Sequence, residues 1–570
     1  MSAPDLPVAG PADPTGDLLD GGVEAAAGLT VMGADAIDQS APASTRAALV
    51  ADGVPARISQ QDATLWGPEA ADEAAIRLGW VDTFRRSREL LAQLAELRAE
   101  LADLDHVVLA GMGGSSLAPE VITRTLGRPL TVLDTTDAGQ VRAAIADRLE
   151  RTVVVVASKS GSTVETDSHR RAYWQAFLDS GLTEAEAGRR FVFVTDPGSP
   201  LEATAAEMGS FVVLADPEVG GRYSALTAFG LVPSALAGVE VSELIDQADA
   251  LTKALGESND NPGLALGAAL GTAATTGRDK VALVSDGSGI ECLGDWAEQL
   301  IAESTGKNGI GILPVVVEAP DSPGVAGPDV LTVTYGGALP AGGVPGGGIR
   351  QHLAVNGPLG AQFLVWEYAT AVAGVVLGID PFNQPNVTES KENTNRILDS
   401  GAPTETPTFT TGAIEAYWTP TGAGDAPPAD LAAALGTLLD GVGAEGYLAV
   451  MAYLDRTADA GVAGVRPVLA ELSGRPVTFG WGPRFLHSTG QYHKGGPQVG
   501  AYLQITGAVA EDLPVPGRPY TFGELQAAQA AGDREALTSR DRPLLRLHLT
   551  DRGAGVAELL AAVRNLRGRQ

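Results

Sequence analysis

Cysteine is almost absent from the chain, with Cys292 the single one among 570 residues. One cysteine excludes an intrachain disulfide and argues strongly against a zinc site built on cysteine ligands. Hydrophobic residues make up 44% of the sequence, which is typical of a globular chain that buries large cores. At roughly 100–200 residues per domain, the length predicts about three domains.

Basic residues are also scarce. Lys and Arg number 39 against 70 Asp and Glu, which gives a formal net charge of −31. Nucleic-acid binders need a basic footprint and anionic membrane surfaces attract basic segments, so the composition argues against both kinds of partner. Only six residues are lysine, and four of them fall inside the motifs described below: Lys159, Lys307, Lys391 and Lys494.

Signals for export or membrane insertion are missing as well. The opening segment MSAPDLPVAGPADP has neither a basic region nor an apolar core. The longest apolar stretch, 368–379, is too short to cross a bilayer. The sequence therefore predicts a soluble, cytoplasmic protein.

Strand and helix patterns alternate through the middle of the chain. HVVLAG (106–111), TVVVVA (152–157), RFVFVT (190–195) and SFVVLA (210–215) are short apolar runs with helical stretches between them. A second series, with strands predicted at 280–286, 311–319 and 329–337, follows in the same style. Alternation of this kind predicts an α/β fold in which parallel sheets are covered by helices on both faces.

Three further segments complete the outline. The Gly, Ala and Pro-rich residues 1–40 predict a loosely held N-terminal segment, and the Pro and Thr-rich stretch 402–428 predicts a linker. We predict a helix at YLAVMAYL (447–454), within the C-terminal region.

Two glycine- and hydroxyl-rich loops follow predicted strands. GMGGSSLAP (111–119) allows close approach of the backbone to a ligand, although a tight strand–helix turn explains it equally well. ASKSGSTVET (157–166) places hydroxyl groups and a lysine before a predicted helix, where helix amides favour anions. Its alternative is a helix-capping cluster. Five polar residues around one glycine exceed what a cap needs, which favours a phosphate site.

Two motifs carry single charged residues. EVGGRYSALTAFGL (218–231) presents Arg222 after a double glycine, and a surface ion pair is the alternative for this arginine. In DWAEQLIAESTGKNG (295–309), Gln299 and Glu303 share one face of a predicted helix. Glu303 stands at the negative pole of the helix, which favours a raised carboxyl pKa; a solvated terminal glutamate is the alternative.

Two more motifs lie further along the chain. GIDPFNQPNVTESKENTN (378–395) sets two prolines and several polar side chains before a helix that carries Lys391. GPRFLHSTGQYHKGGP (482–497) concentrates His487 and His493 with Lys494 among glycines. A lone histidine is more often structural, but two with a lysine in such a stretch indicate a site.

Taken together, these motifs resemble the glucose-6-phosphate isomerase family. The resemblance covers most of 60–400 and part of 480–510: the two glycine- and hydroxyl-rich loops resemble the family's phosphate loops, and VGGRYSALTAFGL, ESTGK, DPFNQPNVTESK and LHSTGQ resemble its other signature segments. One feature departs from the usual pattern, because the LHSTGQ segment follows the DPFNQP segment instead of preceding it. That order resembles the isomerase half of transaldolase–isomerase fusion proteins.

The resemblance implies two doubly wound, parallel-sheet sugar-isomerase domains plus a C-terminal α/β region. We expect an N-terminal segment at 1–57, the first domain at 58–250, the second at 251–400, and at 401–570 a linker and a C-terminal region that completes the active site. The implied reaction interconverts glucose 6-phosphate and fructose 6-phosphate through a cis-enediol(ate), and it needs no metal or redox cofactor.

By resemblance, Glu303 is the base, Arg222 stabilises the oxyanion, and His487 and Lys391 act at the ring oxygen and the O1 hydroxyl. Residues that would hold the substrate and its phosphate are Gly114, Ser115, Ser158, Lys159, Ser160, Thr163 and Gln299. The expected partner is a small sugar phosphate; a homodimer is left open, as is whether His487 acts within its own chain. Two alternatives also stay open: an enzyme that also accepts mannose 6-phosphate, which Gln299 disfavours, and a non-catalytic sugar-phosphate-binding regulator.

Overall fold

The structure is a computed structural model that describes residues 23–338, 352–401, 405–419 and 427–567. Residues 1–22 of the predicted N-terminal segment lie outside the described residues, as do 402–404 and 420–426 of the predicted linker. Three sheets form the framework, and we call them sheets I, II and III in chain order of their parallel strands. The predicted α/β class is confirmed.

The described ranges contain seventeen strands, all in these three sheets. They are β1 Val23–Ala26, β2 Leu29–Met32, β3 His106–Gly111, β4 Thr131–Leu133, β5 Thr152–Ala157, β6 Phe191–Thr195, β7 Phe211–Leu214, β8 Lys280–Ser285, β9 Leu313–Val316, β10 Val330–Gly336, β11 Leu353–Asn356, β12 Phe409–Thr411, β13 Ile414–Thr419, β14 Tyr447–Tyr453, β15 Val477–Trp481, β16 Gly500–Gly507 and β17 Leu544–Leu549.

Twenty-two α-helices connect and cover the sheets in the described parts of the chain. They are α1 Ala34–Asp38, α2 Thr45–Ala51, α3 Val54–Ser59, α4 Ala71–Ala74, α5 Thr83–Ser87, α6 Leu90–Glu100, α7 Leu117–Thr125, α8 Ala138–Ala146, α9 Val164–Asp179, α10 Glu184–Gly188, α11 Pro200–Met208, α12 Ala228–Leu236, α13 Ser242–Leu255, α14 Pro262–Thr275, α15 Leu293–Thr305, α16 Leu359–Leu377, α17 Val387–Ser400, α18 Leu431–Asp440, α19 Val465–Ser473, α20 Gly490–Gly495, α21 Phe522–Thr538 and α22 Arg552–Arg567.

Sheet I is entirely parallel, in the order β4-β3-β5-β6-β7. Every residue of β3, β5 and β6 is buried, as expected of strands covered by helices on both faces. The two predicted phosphate loops leave the carboxyl ends of the neighbouring strands β3 and β5. They therefore meet at one edge of the sheet, where open α/β sheets bind their ligands.

Sheet II has the order β1-β2-β11-β10-β8-β9. The prediction of a loosely held N-terminal segment at 1–40 is wrong for residues 23–40. There β1 and β2 form a hairpin whose second strand pairs antiparallel with β11, and Leu29 and Val31 are fully buried. Ala27 and Gly28 form the turn, and both have positive φ. Turns of this kind are usually identified by Asn-Gly or Asp-Gly, and Ala-Gly lacks that signal.

Sheet III forms the C-terminal region, in the order β12-β13-β17-β16-β14-β15. The helix predicted at 447–454 is wrong, because these residues form β14 in the middle of the sheet. All seven residues of β14 are buried, and a short run that is apolar on every side cannot be told from a buried helix by periodicity. The predicted linker is also shorter than expected, since β12 and β13 lie within it.

The three sheets repeat one strand order. When the first four parallel strands of each sheet are numbered in chain order, they lie in space as 4-3-1-2. Beside strand 4 stands β7 in sheet I, and a hairpin, β1–β2 or β12–β13, in sheets II and III. The C-terminal region thus has the same core topology as the two units before it.

Helix α16 runs through the core of the second unit. Within the described residues, it is the one helix long and apolar enough to cross a membrane, and 89% of its most apolar window is buried inside the protein. It begins nine residues before the apolar stretch 368–379. It packs against α13, α14 and α15, as a core helix does. The predicted boundary between 250 and 251 falls inside α13.

Candidate active site

The loop 111–116 brings the predicted site residues together by close backbone contact. Gly113 has a φ of +53°, and a Cβ there would lie 2.6 Å from Nε2 of Gln299 and 2.9 Å from the carbonyl oxygen of His487. A Cβ on Gly114 would lie 1.9 Å from the carbonyl oxygen of Gly221. A side chain at either position would push these segments apart, so the glycines let four motifs converge. Beside them, Ser115 is buried.

In the second loop, hydroxyl groups bond to each other. Oγ of Ser158 lies 2.8 Å from Oγ1 of Thr163, and the Ser160 and Ser162 hydroxyls are 2.9 Å apart. Thr163 is the residue before α9, yet its side chain makes no capping hydrogen bond to that helix. The capping alternative therefore does not account for the cluster. The first-turn amides of α9 and these hydroxyls together form a cradle suited to an anion.

Lys159 does not join this cradle. Its ammonium donates to Oδ2 of Asp196 at 2.6 Å and to the carbonyl oxygen of Pro217 at 3.2 Å. Burial lowers the pKa of Lys159, while the hydrogen bond to Asp196 opposes that effect. A role for Lys159 in phosphate binding stays a prediction, and it would require the side chain to leave Asp196.

Glu303 and Gln299 lie on α15 and are both buried. Nε2 of Gln299 donates to Oε2 of Glu303 at 3.3 Å, and Nη1 of Arg222 lies 3.6 Å from the same oxygen. Burial raises the pKa of Glu303, and Arg222, His487 and Gln299 oppose that rise. The alternative of a solvated terminal glutamate is wrong. The carboxyl has the environment of a group that accepts and returns protons.

Arg222 is 4% exposed and is held on every side. Nε donates to the Ser304 hydroxyl at 2.8 Å, Nη1 to Oε1 of Gln384 at 3.0 Å, and Nη2 to the carbonyl oxygens of Pro381 and Asn383 at 2.7 and 3.0 Å. The alternative of a surface ion pair is therefore wrong. These bonds fix the cation beside Glu303 and tie the DPFNQP segment to α15.

Lys307 strengthens the same junction, a role that the motif analysis missed. Its ammonium donates to the carbonyl oxygen of Asp380 at 2.6 Å and to the carbonyl and side-chain oxygens of Asn383 at 2.7 and 2.8 Å. Burial, followed by the charge of Arg222, lowers the pKa of Lys307 well below its usual range. The scarcity of lysine in the sequence was the signal that could have pointed to it.

His487 reaches the site from the C-terminal region within the same chain. It lies in a 3₁₀ turn, and Nε2 is 3.0 Å from Oε1 of Glu165 on α9. The amide of Gln529, on α21, donates to the same carboxylate oxygen at 2.7 Å. Burial raises the pKa of Glu165, but His487 and, more weakly, Lys391 outweigh it and lower the pKa overall. Glu165 was missed from the sequence; it is the second-last residue of the ASKSGSTVET motif.

A cavity of about 290 Å³ opens beside His487, Glu165 and Gln529. Its lining comes from the second loop, α9, α17, the 486–494 segment and α21: Ser162, Thr163, Val164, Glu165, Lys391, Thr394, Asn395, Leu486, His487, Lys494 and Gln529. His487 lines the cavity and also contributes to the pKa of Glu303. Lys391 is exposed at the rim. Within the described part of the chain, no three His, Cys, Asp or Glu side chains are grouped to hold a metal ion.

The second histidine of the 482–497 motif has a structural place. His493 is buried among aromatic rings, with its ring centre 5.3 Å from that of Tyr502 and 6.1 Å from that of Tyr447. Burial lowers the pKa of His493 well below its usual range, so the ring is neutral. Lys494 lines the cavity but is paired with Asp533 of α21 at 2.6 Å.

Arg484 anchors the turn that carries His487. Its Nη1 donates at 2.6 Å to both Glu120 of α7 and Asp134, and its Nη2 lies 3.3 Å from Asp295 of α15. The Arg484 side chain is 10% exposed. It therefore ties the C-terminal region to the helix that follows the first loop and to the helix that carries Glu303.

Parallel α/β units with an anion cradle at the strand ends and a buried carboxylate beside a fixed arginine define a phosphosugar-isomerase type of fold and site. The family model described as phosphoglucose isomerase matches residues 98–312. The glucose-6-phosphate isomerase of Rubrobacter xylanophilus is 30% identical over 382 residues, a match that covers 54% of this chain and 86% of that protein. The chain belongs to the glucose-6-phosphate isomerase family.

Other relatives match over shorter stretches. The probable glucose-6-phosphate isomerase of Haloarcula marismortui is 35% identical over 225 residues, which is 38% of this chain and 50% of that protein. The chain thus spans about half the length of the haloarchaeal relatives it matches. The crystal structure of a glucose-6-phosphate isomerase from Chlamydia trachomatis aligns with a TM-score of 0.52 at 19% identity, covering 67% of this chain and 90% of that one, and supports the fold.

Proposed function

We propose that this protein catalyses the reversible conversion of glucose 6-phosphate to fructose 6-phosphate. The observation that carries the proposal is the buried Glu303 carboxyl, 3.6 Å from the immobilised Arg222 guanidinium, at the strand ends where two anion-binding loops meet. Family membership agrees with this activity, and the charge of −31 with a single cysteine agrees with a cytoplasmic location.

The reaction moves a proton between C2 and C1 of the open-chain sugar. A base for this step must lose and regain a proton near neutral pH, and burial raises the pKa of Glu303 toward that range. As the proton leaves C2, negative charge develops on the carbonyl oxygen at C1. Arg222 is rigidly held, so it can stabilise this oxyanion without reorganising.

Ring opening comes before proton transfer. We assign it to His487, because the imidazole lines the cavity and Glu165 fixes its orientation through Nε2. Lys391 stands at the rim of the same cavity, where an ammonium can approach the ring oxygen or the O1 hydroxyl. Because His487 reaches the site within its own chain, ring opening does not require a histidine from a second subunit.

We assign the phosphate to the cradle of the second loop, with the first loop beside it. Ser158, Ser160 and Thr163 supply hydroxyls, and Gly114 and Ser115 lie in the loop that follows the neighbouring strand β3. Hydrogen bonds to a charged group are stronger than neutral ones, which favours a dianionic ligand here. Gln299 has a buried amide oxygen without a partner among the described residues, available to a substrate hydroxyl.

The test is a coupled assay for glucose 6-phosphate formed from fructose 6-phosphate, read through an NADP-linked dehydrogenase. We expect turnover by the wild type and a loss of about 10²–10⁴-fold in kcat for Glu303→Gln. Glu298→Gln is the matched control on the same helix. Burial raises the pKa of Glu298 to about 8, so its carboxyl is mostly neutral at pH 7 and amide replacement should matter little. A Glu303→Gln variant that keeps more than half of the wild-type kcat would refute the assignment.

A further inference from the structure

A second polar cavity, of about 350 Å³, lies in the C-terminal region between α21 and sheet III. It is bordered by the last residues of two central strands, Tyr453 of β14 and Thr506 and Gly507 of β16, and by Arg546 and His548 of β17. The volume is at the lower end of the range of about 300–1,000 Å³ typical of small-molecule sites.

The position of this cavity repeats that of the predicted phosphate cradle. In the shared 4-3-1-2 order, the second phosphate loop follows strand 3 of sheet I, which is β5; strand 3 of sheet III is β16. Residues 506–509, at the end of β16, line the second cavity. The third unit therefore has a cavity at the strand ends where parallel α/β sheets bind ligands, and no step of the isomerisation uses it.

Two arginines give this cavity a positive character. Nη2 of Arg534 lies 2.9 Å from Glu405, and Nη2 of Arg546 lies 2.5 Å from the other oxygen of the same carboxylate. The guanidinium of Arg546 also stacks over the ring of Tyr417, 3.6 Å from its centre. The exposed Glu405 thus binds both arginines as an anionic ligand would, and one carboxylate offsets only one of the two charges.

Two hydrogen-bond donors on residues that line the cavity lack acceptors among the described residues. Nε2 of Gln526 and Nε of Arg546 are buried and have no hydrogen-bond partner among the described residues, and Gln526 as a whole is 4% exposed. Buried donors without acceptors are costly and rare in folded proteins. A ligand with several acceptor oxygens would satisfy them together with the two arginines.

We propose that the cavity is a second ligand site, which binds a small organic phosphate through Arg534 and Arg546 in place of Glu405. Two forked guanidinium groups match the several oxygens and double charge of a phosphate monoester better than the single charge of a carboxylate. In a chain of net charge −31, such a local pair of cations also attracts a dianion that the rest of the surface repels.

The experiment is calorimetric titration of the full chain with glycerol 3-phosphate, a phosphate monoester that has no carbonyl group to isomerise. We expect two binding events per wild-type chain. Arg534→Gln with Arg546→Gln should weaken one event by at least about tenfold in Kd, and Ser158→Ala with Thr163→Ala should weaken the other. Arg564→Gln with Arg567→Gln, which removes two exposed arginines of α22, is the charge-matched control and should leave both events unchanged.

Glu405→Gln provides a variant with the opposite expected sign. If Glu405 competes with the ligand, its neutralisation should tighten the second event, and this holds even if the double arginine variant fails to fold. One binding event that only the Ser158 and Thr163 changes weaken, or no change on Glu405→Gln, would overturn the proposal. Equal binding of malonate at the second site would overturn the phosphate class. Isomerase turnover is measured in a separate assay. A protein without isomerase activity would therefore still show whether the second site binds glycerol 3-phosphate.

Discussion

Replacing Arg484 with methionine should lower the free energy of unfolding, by an amount that depends on how deeply its carboxylate partners are buried. The Arg484 side chain is 10% exposed, and those of two of its partners, Glu120 and Asp134, are 8% and 1% exposed. Removing one member of a buried ion pair typically costs about 3–5 kcal/mol, because the remaining charge is left without compensation. Arg456 stays 2.9 Å from Glu120 and 3.6 Å from Asp134, so we expect the lower end, about 3 kcal/mol.

Differential scanning calorimetry measures this effect. For a cooperative unit of 150–250 residues, 3 kcal/mol corresponds to a fall in Tm of about 6–12 °C. Arg466→Met is the matched control: the Arg466 side chain is 2% exposed, so it is buried more deeply than that of Arg484, but its partner Glu318 is 50% exposed and is rehydrated when the arginine is lost. We expect about 1 kcal/mol there. A Tm within 2 °C of wild type for Arg484→Met, or a loss no larger than that of Arg466→Met, would refute the reasoning.

The same variant has a pH signature. Burial raises the pKa of Glu120, but Arg484 and then Arg456 outweigh it and lower the pKa from 4.5 to about 2. A carboxyl with a depressed pKa stabilises the fold fully above its unfolded pKa and loses that contribution as pH falls through the folded value. Loss of Arg484 raises the pKa of Glu120, so the Tm difference between wild type and Arg484→Met should be largest near neutral pH and should narrow as the pH falls toward 2.

Three further variants test the assigned roles. Ser158→Ala with Thr163→Ala should raise KM for fructose 6-phosphate at least tenfold with little change in kcat, since each hydrogen bond to a charged phosphate contributes about 1.5–3 kcal/mol; steady-state kinetics measure this. His487→Ala should slow turnover of cyclic glucose 6-phosphate far more than exchange of the C1 proton in an acyclic analogue, followed by NMR. In the wild type, the hydrogen bond from Gln299 lowers the pKa of Glu303, so Gln299→Leu should raise that pKa. Because the base form of Glu303 disappears as pH falls through its pKa, the acid limb of the kcat/KM profile should move to higher pH.

Each of these expectations has a clear contrary result. An unchanged KM in the double serine–threonine variant would remove the cradle from phosphate binding. Equal and mild effects of His487→Ala on both reactions would place the imidazole outside ring opening. An acid limb that stays fixed or moves to lower pH in Gln299→Leu would show that the limb does not report Glu303.

Much of the framework could be predicted because it depends on local sequence. The strands predicted at 106–111 and 152–157 form where expected, since continuous β-branched or apolar runs bounded by glycine or serine suit strands buried on both faces. The motif around Glu303 likewise predicted a carboxyl with a raised pKa at a helix end; the structure places Glu303 near the end of α15, and burial there raises its pKa. In these cases one segment contains the whole pattern.

The rest depended on contacts between distant parts of the chain. β2 becomes a strand by pairing with β11, more than 300 residues away, so its own turn signal was too weak to predict it. Glu165 lies 322 residues from His487, and their contact gives the glutamate its role. β14 has no polar face to show a period of two, and only its place in the centre of sheet III makes it a strand.

Helix α21 takes part in both cavities. Gln529 faces the first, where it holds Glu165, while Gln526, Ala530 and Arg534, spaced four residues apart, line the second. A rigid helix cannot adjust one of these faces without moving the other. Suppose that a ligand in the second cavity favours one position of α21 and so changes the affinity of the first cavity for the sugar phosphate. Thermodynamic linkage then requires the sugar phosphate to change the affinity of the second cavity for its ligand by the same factor. A titration of either site in the presence and absence of the other site's ligand then measures the same coupling free energy.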